Sequence, residues 1–369
     1  MCSSPASEPR TEQAAGPLFV VSMWRSGSSL LYALLNKHPQ VGLMYEADLL
    51  LLRPVFLNLP GLRDWAHRWE FWNQAFTRHG LNPEDFADPR SIYREAFERV
   101  HKEFARQKGA TIWGDKSPNY YDRLQEMAET FPDAWFIIVW RDPLETANSI
   151  LRAAQPDNPY FGRKGSILRA LVGSEVFKRQ SDWLRWRGRR LLEISYEDLV
   201  RDPASTMEQV CRFLNIEYSG DLARLDGADR SAIYGGEHHA LVKGNEVVAR
   251  PRPNIVDSRL AAKIDRYVES WRRNYAGSWP PVHRMEGLNA RRASFLEQAL
   301  DKLYYRAFRA YDTFTASCFS FLPFSLLAAY RRHKYAKLSR PIELSARSEP
   351  SPAEKALSEP VAQVSQRGP

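Results

Sequence analysis

The chain has 369 residues, 44% of them hydrophobic, and a formal net charge of +8. These values exclude a disordered, collagen-like or disulfide-scaffold protein and suit one large domain or two modest ones. The three cysteines, Cys2, Cys211 and Cys318, are too few and scattered for a disulfide framework or zinc site, and no N-x-[ST] sequon occurs, which together predict a reducing, cytoplasmic setting.

Residues 1–16 read as a flexible tail, without the apolar stretch of a signal peptide. Leu18 to Ser22 is a short apolar run of buried-strand type. The turn Trp24-Arg25-Ser26-Gly27 follows, and Ser28 to Lys37 reads as a helix stopped by His38-Pro39. Residues 62–109 read as helical and aromatic, with Trp65, Trp69 and Trp72 on one face and a second amphipathic helix over Ser91 to Lys108. A strand over Thr111 to Gly114 and a helix over Asn119 to Thr130 come next. Ala134 to Trp140 is apolar throughout, as a central parallel strand should be. Helices over Pro143 to Arg152 and Gly165 to Arg187, a strand over Leu191 to Ser195 and a helix over Pro203 to Leu214 complete the alternation. Strands alternating with helices predict a parallel α/β sheet. Residues 226–256 are loop-rich, and Asp257 to Tyr275 reads as helical.

Two stretches carry the chemistry. Arg25-Ser26-Gly27-Ser28-Ser29 lies between the first strand and helix. A helix N-terminus offers unpaired N–H groups, Gly27 permits close approach, and arginine and serine donors suit phosphate or sulfate oxygens. Walker A spacing, G-x-x-x-x-G-K-[ST], is absent. Alone, the stretch fits an anion site and a plain Ser-capped turn equally well. In the second stretch, Arg141 leaves the C-terminal end of the strongest strand, where open α/β sheets place ligands, and Ser149 lies two turns along the next helix; alone, the pair reads more readily as a surface arginine and a solvated serine than as a phosphate clamp.

Together these stretches resemble the sulfotransferase family, whose donor is 3′-phosphoadenosine-5′-phosphosulfate (PAPS). Arg25 in place of lysine is similar to the tyrosylprotein and bacterial branches. Three further segments match in family order: Trp113-Gly114-Asp115-Lys116-Ser117-Pro118, Ile194-Ser195-Tyr196-Glu197-Asp198-Leu199, and His239 with Gly244-Asn245. The resemblance spans roughly residues 17–280 and implies a three-layer α/β fold with a P-loop-like parallel sheet. It places Arg25, Ser26, Gly27, Ser28 and Ser29 at the 5′-phosphosulfate. It places Arg141 and Ser149 at the 3′-phosphate, with Tyr196 and Lys243 nearby. Glu46 falls at the family's catalytic carboxylate, with Asp115 as the alternative. The expected reaction transfers a sulfuryl group to an acceptor hydroxyl. A positioned carboxylate takes the hydroxyl proton, and Arg25 and Lys116 stabilise the developing charge. No metal is required, since cations and N–H groups meet the donor's charge; His238-His239 reads as a loop pair.

The acceptor is expected to be a carbohydrate, lipid or other small molecule. Residues 47–110 are expected to form a helical lid over it, with the tryptophans either stacking on its rings or packing in a core. The sulfotransferase domain is bounded at 17–285. A basic helical extension covers 286–340, and the tail 341–369 reads as disordered. Leu296, Leu300, Leu303, Ala307 and Tyr311 recur at helical spacing, and 17 uncharged residues, Phe314 to Tyr330, are broken by Pro323. This run is too short and interrupted to span a bilayer. Residues 291–335 are therefore expected to contact a membrane surface, the core or a second subunit. Nucleic acid has no supporting motif. The alternative functions are a kinase-like phosphotransferase and a non-catalytic phosphonucleotide-binding scaffold.

Overall fold

The computed structural model describes residues 16–53, 61–90, 92–153, 163–233, 242, 244–247, 262–267, 269–270 and 295–335. Five parallel strands form one sheet: β1 (Leu18–Ser22), β2 (Val41–Tyr45), β3 (Ile112–Lys116), β4 (Trp135–Trp140) and β5 (Arg190–Ser195), in the order β2-β3-β1-β4-β5. Helix α1 (Ser28–Leu35) connects β1 to β2. Between β2 and β3 lie α2 (Trp65–Asn73), α3 (Ala75–Arg78) and α4 (Tyr93–Gln107). Helix α5 (Leu124–Thr130) precedes β4, and α6 (Pro143–Ala153) and α7 (Arg163–Trp186) precede β5. Helices α8 (Tyr196–Arg201) and α9 (Pro203–Leu214) follow, and α10 (Phe295–Phe321) and α11 (Phe324–Tyr335) close the described chain. Residues 1–329 form one compact unit and 330–369 another.

The strands are apolar on both faces, so the sheet divides two cores. On one side Leu18, Val20, Ile137 and Val139 pack with α1, α8 and α9. On the other, Phe19, Val21, Phe136 and Ile138 pack with α2, α4, α5, α6 and α7. Neighbouring residues along β1 and β4 thus serve opposite layers, as a period of two requires.

Four local readings change. Val41–Tyr45 is a buried strand that follows directly on the Pro39 helix stop. Strand β3 continues past Gly114 through Asp115 and Lys116, because both polar side chains find partners inside the fold. The helix expected over 119–130 divides into a 3₁₀ turn, Pro118–Tyr120, and α5. Helix α8 begins at once after β5, capped by Ser195 Oγ, which accepts from Asp198 N at 3.3 Å. Within the expected lid, α4 is the β2–β3 crossover and packs on both strands. Trp65 and Trp69 are buried with ring centroids 6.3 Å apart, and the Trp69 indole N–H donates to Ala47 O. Their packing role is therefore the one the structure carries. Residues 154–162, Lys243, His239 and residues 341–369 lie outside the described residues.

Gly114 lets β3 sit against β1. Its φ is 153°, and a Cβ there would stand 2.0 Å from the Leu18 carbonyl oxygen. Backbone cannot yield as a flexible side chain does, so Gly114→Ala should cost at least about 2 kcal/mol of stability. Urea denaturation provides the check; an unchanged midpoint would show that the strands separate freely at this point.

Candidate active site

Every sequence-derived site residue among the described ones lies at or beyond the C-terminal ends of the strands. The topology explains why. The chain leaves β1 toward one face of the sheet and leaves the adjacent strands β3 and β4 toward the other, which opens a crevice at the end of β1.

The loop after β1 turns sharply. Ser26 N donates to Met23 O at 3.2 Å, and Arg25 and Gly27 have φ values of 67° and 92°. A Cβ on Gly27 would lie 2.2 Å from the Tyr196 ring, so only glycine permits this contact. Gly27 caps α1, whose first N–H groups have no partner within the helix. Ser22 Oγ donates to Ser28 Oγ at 2.8 Å, which fixes the helix start on its strand. Arg25 Nε donates to Ser149 Oγ at 3.1 Å, and an Arg141 guanidinium nitrogen donates to Arg25 O at 2.7 Å. The same guanidinium lies 4.2 Å over the Tyr196 ring and 3.8 Å from Glu145. Arg25, Gly27, Arg141, Ser149 and Tyr196, which span 171 sequence positions, thus form one cluster.

A second cluster surrounds Lys116. Strand register sets Lys116 beside Tyr45 of β2 and Val20 of β1. Its ammonium donates to Glu46 at 2.6 Å and to Ser29 Oγ at 3.1 Å, and lies 4.1 Å over the Tyr45 ring. The Ser29 and Tyr45 hydroxyls are 2.8 Å apart. The Lys116 side chain is 1% exposed and that of Glu46 14%. Burial pulls the Lys116 pKa down, and Glu46 opposes that shift. Glu46 adopts φ 48° while its N–H donates to Lys116 O at 2.7 Å and its carbonyl accepts from Arg78 at 2.9 Å.

Asp115 does a different job from Glu46. It is fully buried and accepts from Ala47 N, Asp48 N and the Tyr120 hydroxyl at 3.2, 3.1 and 2.7 Å. These bonds bracket the loop that presents Glu46. Asp48 accepts from Ser117 Oγ and, at 2.8 Å, from Asn119 Nδ2, while Asn119 Oδ1 accepts from Trp24 Nε1 at 3.0 Å. Sequence reading missed Tyr45, Asp48, Ser117 and Asn119 as site-forming groups. The available signal was polar residues interrupting apolar segments beside Glu46 and Lys116. Among the described residues no group of three or more His, Cys, Asp or Glu side chains is arranged for a metal ion.

The profile of the sulfotransferase family matches residues 17–220, more than half of the chain. The chain belongs to the sulfotransferase family. A Caenorhabditis briggsae protein, provisionally named a protein-tyrosine sulfotransferase, is 24% identical over 202 residues. The match covers 55% of this chain and 66% of that relative, just under two thirds. The sulfotransferase domain of the Synechococcus PCC 7002 olefin synthase is 20% identical, covers 87% of this chain and all of its own, and superposes with a TM-score of 0.47. The sulfotransferase domain of the curacin biosynthetic pathway is also 20% identical, with 68% and 97% covered and a TM-score of 0.42. Both described clusters of the sulfotransferase fall inside the family match.

Burial and the Asp48 charge push the Asp115 carboxyl up to about 7; burial and the Glu46 charge push Asp48 up to about 6. Between the ordinary value of 3.8 and these values the folded protein holds more protons than the unfolded chain. The pair's contribution to stability therefore falls as pH rises through that window. Asp115→Asn removes one member, so its stability deficit should be larger at about pH 5 than at about pH 8. Urea titrations at both pH values check this; a deficit that is constant or grows with pH would exclude the titration.

Proposed function

We propose that this sulfotransferase moves the sulfuryl group of PAPS to an acceptor hydroxyl, with Glu46 as the base. The observation that carries the reading is the Glu46–Lys116–Ser29 constellation, held beside the start of α1 at 2.6 and 3.1 Å. The residues present suit a donor with two separate anionic groups. Two arginines, a lysine, several hydroxyls and a helix N-terminus converge near Gly27, where a Cβ would stand 2.2 Å from the Tyr196 ring.

In the proposed step the acceptor oxygen attacks sulfur in line with the phosphate oxygen that leaves. The bond from sulfur to that oxygen breaks as the bond to the acceptor forms. The acceptor's proton passes to a Glu46 carboxylate oxygen, and adenosine 3′,5′-bisphosphate departs with the released charge. Lys116 bridges the base and the phosphosulfate loop, so it meets charge growing on the sulfuryl and leaving oxygens. Arg25 and the α1 N–H groups act on the same charge from the other side. Arg141 and Ser149 hold the 3′-phosphate, and Tyr196 supports Arg141 through its ring face. Lys243, outside the described residues, is assigned to the donor by family resemblance alone. The acceptor is a hydroxyl-bearing small molecule or glycan.

Glu46→Gln should lower turnover about 10²- to 10⁴-fold while adenosine 3′,5′-bisphosphate binding stays within a few-fold of normal. Retained turnover would remove Glu46 as the base. Arg141→Ala should weaken bisphosphate binding by about one to two orders of magnitude. Titration calorimetry reads this directly, and an unchanged affinity would dismiss the 3′-phosphate role. Thermal-shift measurements should show stabilisation by PAPS and adenosine 3′,5′-bisphosphate; stabilisation by ATP alone would favour phosphoryl transfer instead.

A further inference from the structure

Helix α10 turns its polar side inward and its apolar side outward. Its inner face is tied down by specific bonds. Tyr305 is 8% exposed and its hydroxyl lies 2.6 Å from that of Tyr121. Arg309 pairs with Asp122 at 2.5 Å and Lys302 with Glu175 at 3.3 Å. Asp301 accepts from Lys263 and from the Tyr267 hydroxyl, each at 2.9 Å. At about 100° per residue these groups lie on the side of the helix opposite a second set. That set includes Leu296, Leu300, Leu303, Tyr311, Phe314 and Phe321, which are 56–66% exposed. They fall within about 60° of one line along the helix. The stripe is roughly 38 Å long, more than isolated surface hydrophobics account for.

We propose that this stripe is a docking surface for an anionic lipid membrane, on which α10 lies in the interfacial plane. The period of the stripe favours a flat occupant. Leu296 and Phe314, and likewise Leu303 and Phe321, are eighteen residues apart, which is five turns at about 3.6 residues per turn. The apolar line therefore runs straight along the axis. A helix of a second copy could follow it for its full length only by supercoiling, which needs a repeat of about 3.5 residues. Charge supplies the lipid's sign. Residues 291–340 carry ten Lys and Arg against three Asp and Glu; α10 itself is balanced, three against three, with Lys302 and Arg309 committed to the inner ion pairs, so the excess lies in its sequence flanks, at Arg291, Arg292 and from Arg331 to Arg340. An amphipathic helix with basic sequence flanks binds anionic headgroups through the flanks while its apolar face enters the acyl boundary. Among the described residues no helix is long and apolar enough to cross the bilayer. The inner contacts of Asp301, Lys302, Tyr305 and Arg309 hold α10 with its stripe facing outward.

Flotation of the full-length protein with vesicles of phosphatidylcholine, with and without phosphatidylserine, tests the proposal. The unmodified protein should float with the phosphatidylserine vesicles and much less with phosphatidylcholine alone. Leu300→Glu/Phe314→Glu should reduce flotation at least tenfold, while circular dichroism and the thermal shift caused by adenosine 3′,5′-bisphosphate remain unchanged. Failure of the parent protein to float, or equal flotation of the variant, would overturn the proposal. So would light scattering that shows a dimer dissolved by the double substitution, without flotation; the stripe would then belong to a second copy.

Discussion

A lysine buried at the end of a central parallel strand sets the terms for the surrounding site. The Lys116 ammonium, 1% exposed, is removed from water, and an unpaired charge there would cost several kcal/mol. Its partners come from three separate elements: Glu46 after β2, Ser29 in α1 and the Tyr45 ring on β2. The loop after β2 must therefore reach back over the sheet, and it does so through left-handed residues at Glu46 and Asp48. Neither is glycine, so the conformation is strained and must be over-determined by its surroundings. Asp115 supplies much of that determination by accepting both N–H groups of Ala47 and Asp48. Adjacent residues of one strand thus divide the work: Asp115 shapes the loop and Lys116 neutralises what the loop presents.

The bonding continues from this loop to the helical extension. Asp48 holds Asn119, Asn119 holds the Trp24 indole, and the Arg169 guanidinium lies 3.9 Å over Trp24 and 5.0 Å over Phe308 of α10. Trp24 directly precedes Arg25, so the loop after β1 sits in the same chain of contacts. The extension is consequently a wall of the domain through its inner face, whatever its outer face meets. Helix α10 satisfies its charges on one side and leaves its apolar residues on the other, which reverses the usual arrangement of a surface helix.

What could be read in the sequence depended on whether a signal was local. The loop from Arg25 to Ser29 announces itself because glycine, hydroxyls and arginine crowd one strand-to-helix junction. Arg141 stands where an apolar run ends and a Pro-initiated helix follows, but that pattern alone suits a surface arginine, and only its combination with the Arg25–Ser29 stretch singles it out. The alternation of strands and helices gave the layer architecture, which depends only on period and length. Strand β2 escaped although it is as long as β1 and follows the Pro39 helix stop; its partner in the sheet, β3, lies 71 positions on in the chain. The inward course of Asp115 and Lys116 escaped for another reason. Apart from the Tyr120 hydroxyl five positions on, their burial is permitted by partners 67 to 87 positions away, and no local pattern records those. Trp65 and Trp69 had helical spacing that suited either a ligand face or a core, and only the neighbouring layer decided between them.

The net charge of +8 illustrates the same distinction between placed and diffuse groups. Residues 1–290, which hold both site clusters, carry 39 Lys and Arg against 37 Asp and Glu. Near-balance is compatible with strong anion recognition because each cation works at short range inside a site of low effective dielectric. Arg25, Lys116 and Arg141 are held by carbonyls, hydroxyls and carboxylates, so their orientation is fixed before any ligand arrives. The excess lies in residues 291–340, where ten bases face three acids. Charge there need not be oriented with comparable accuracy, since a membrane surface presents a field rather than a single geometry. In the proposed reading one chain holds two kinds of anion recognition, one dependent on the position of individual atoms and the other on summed charge.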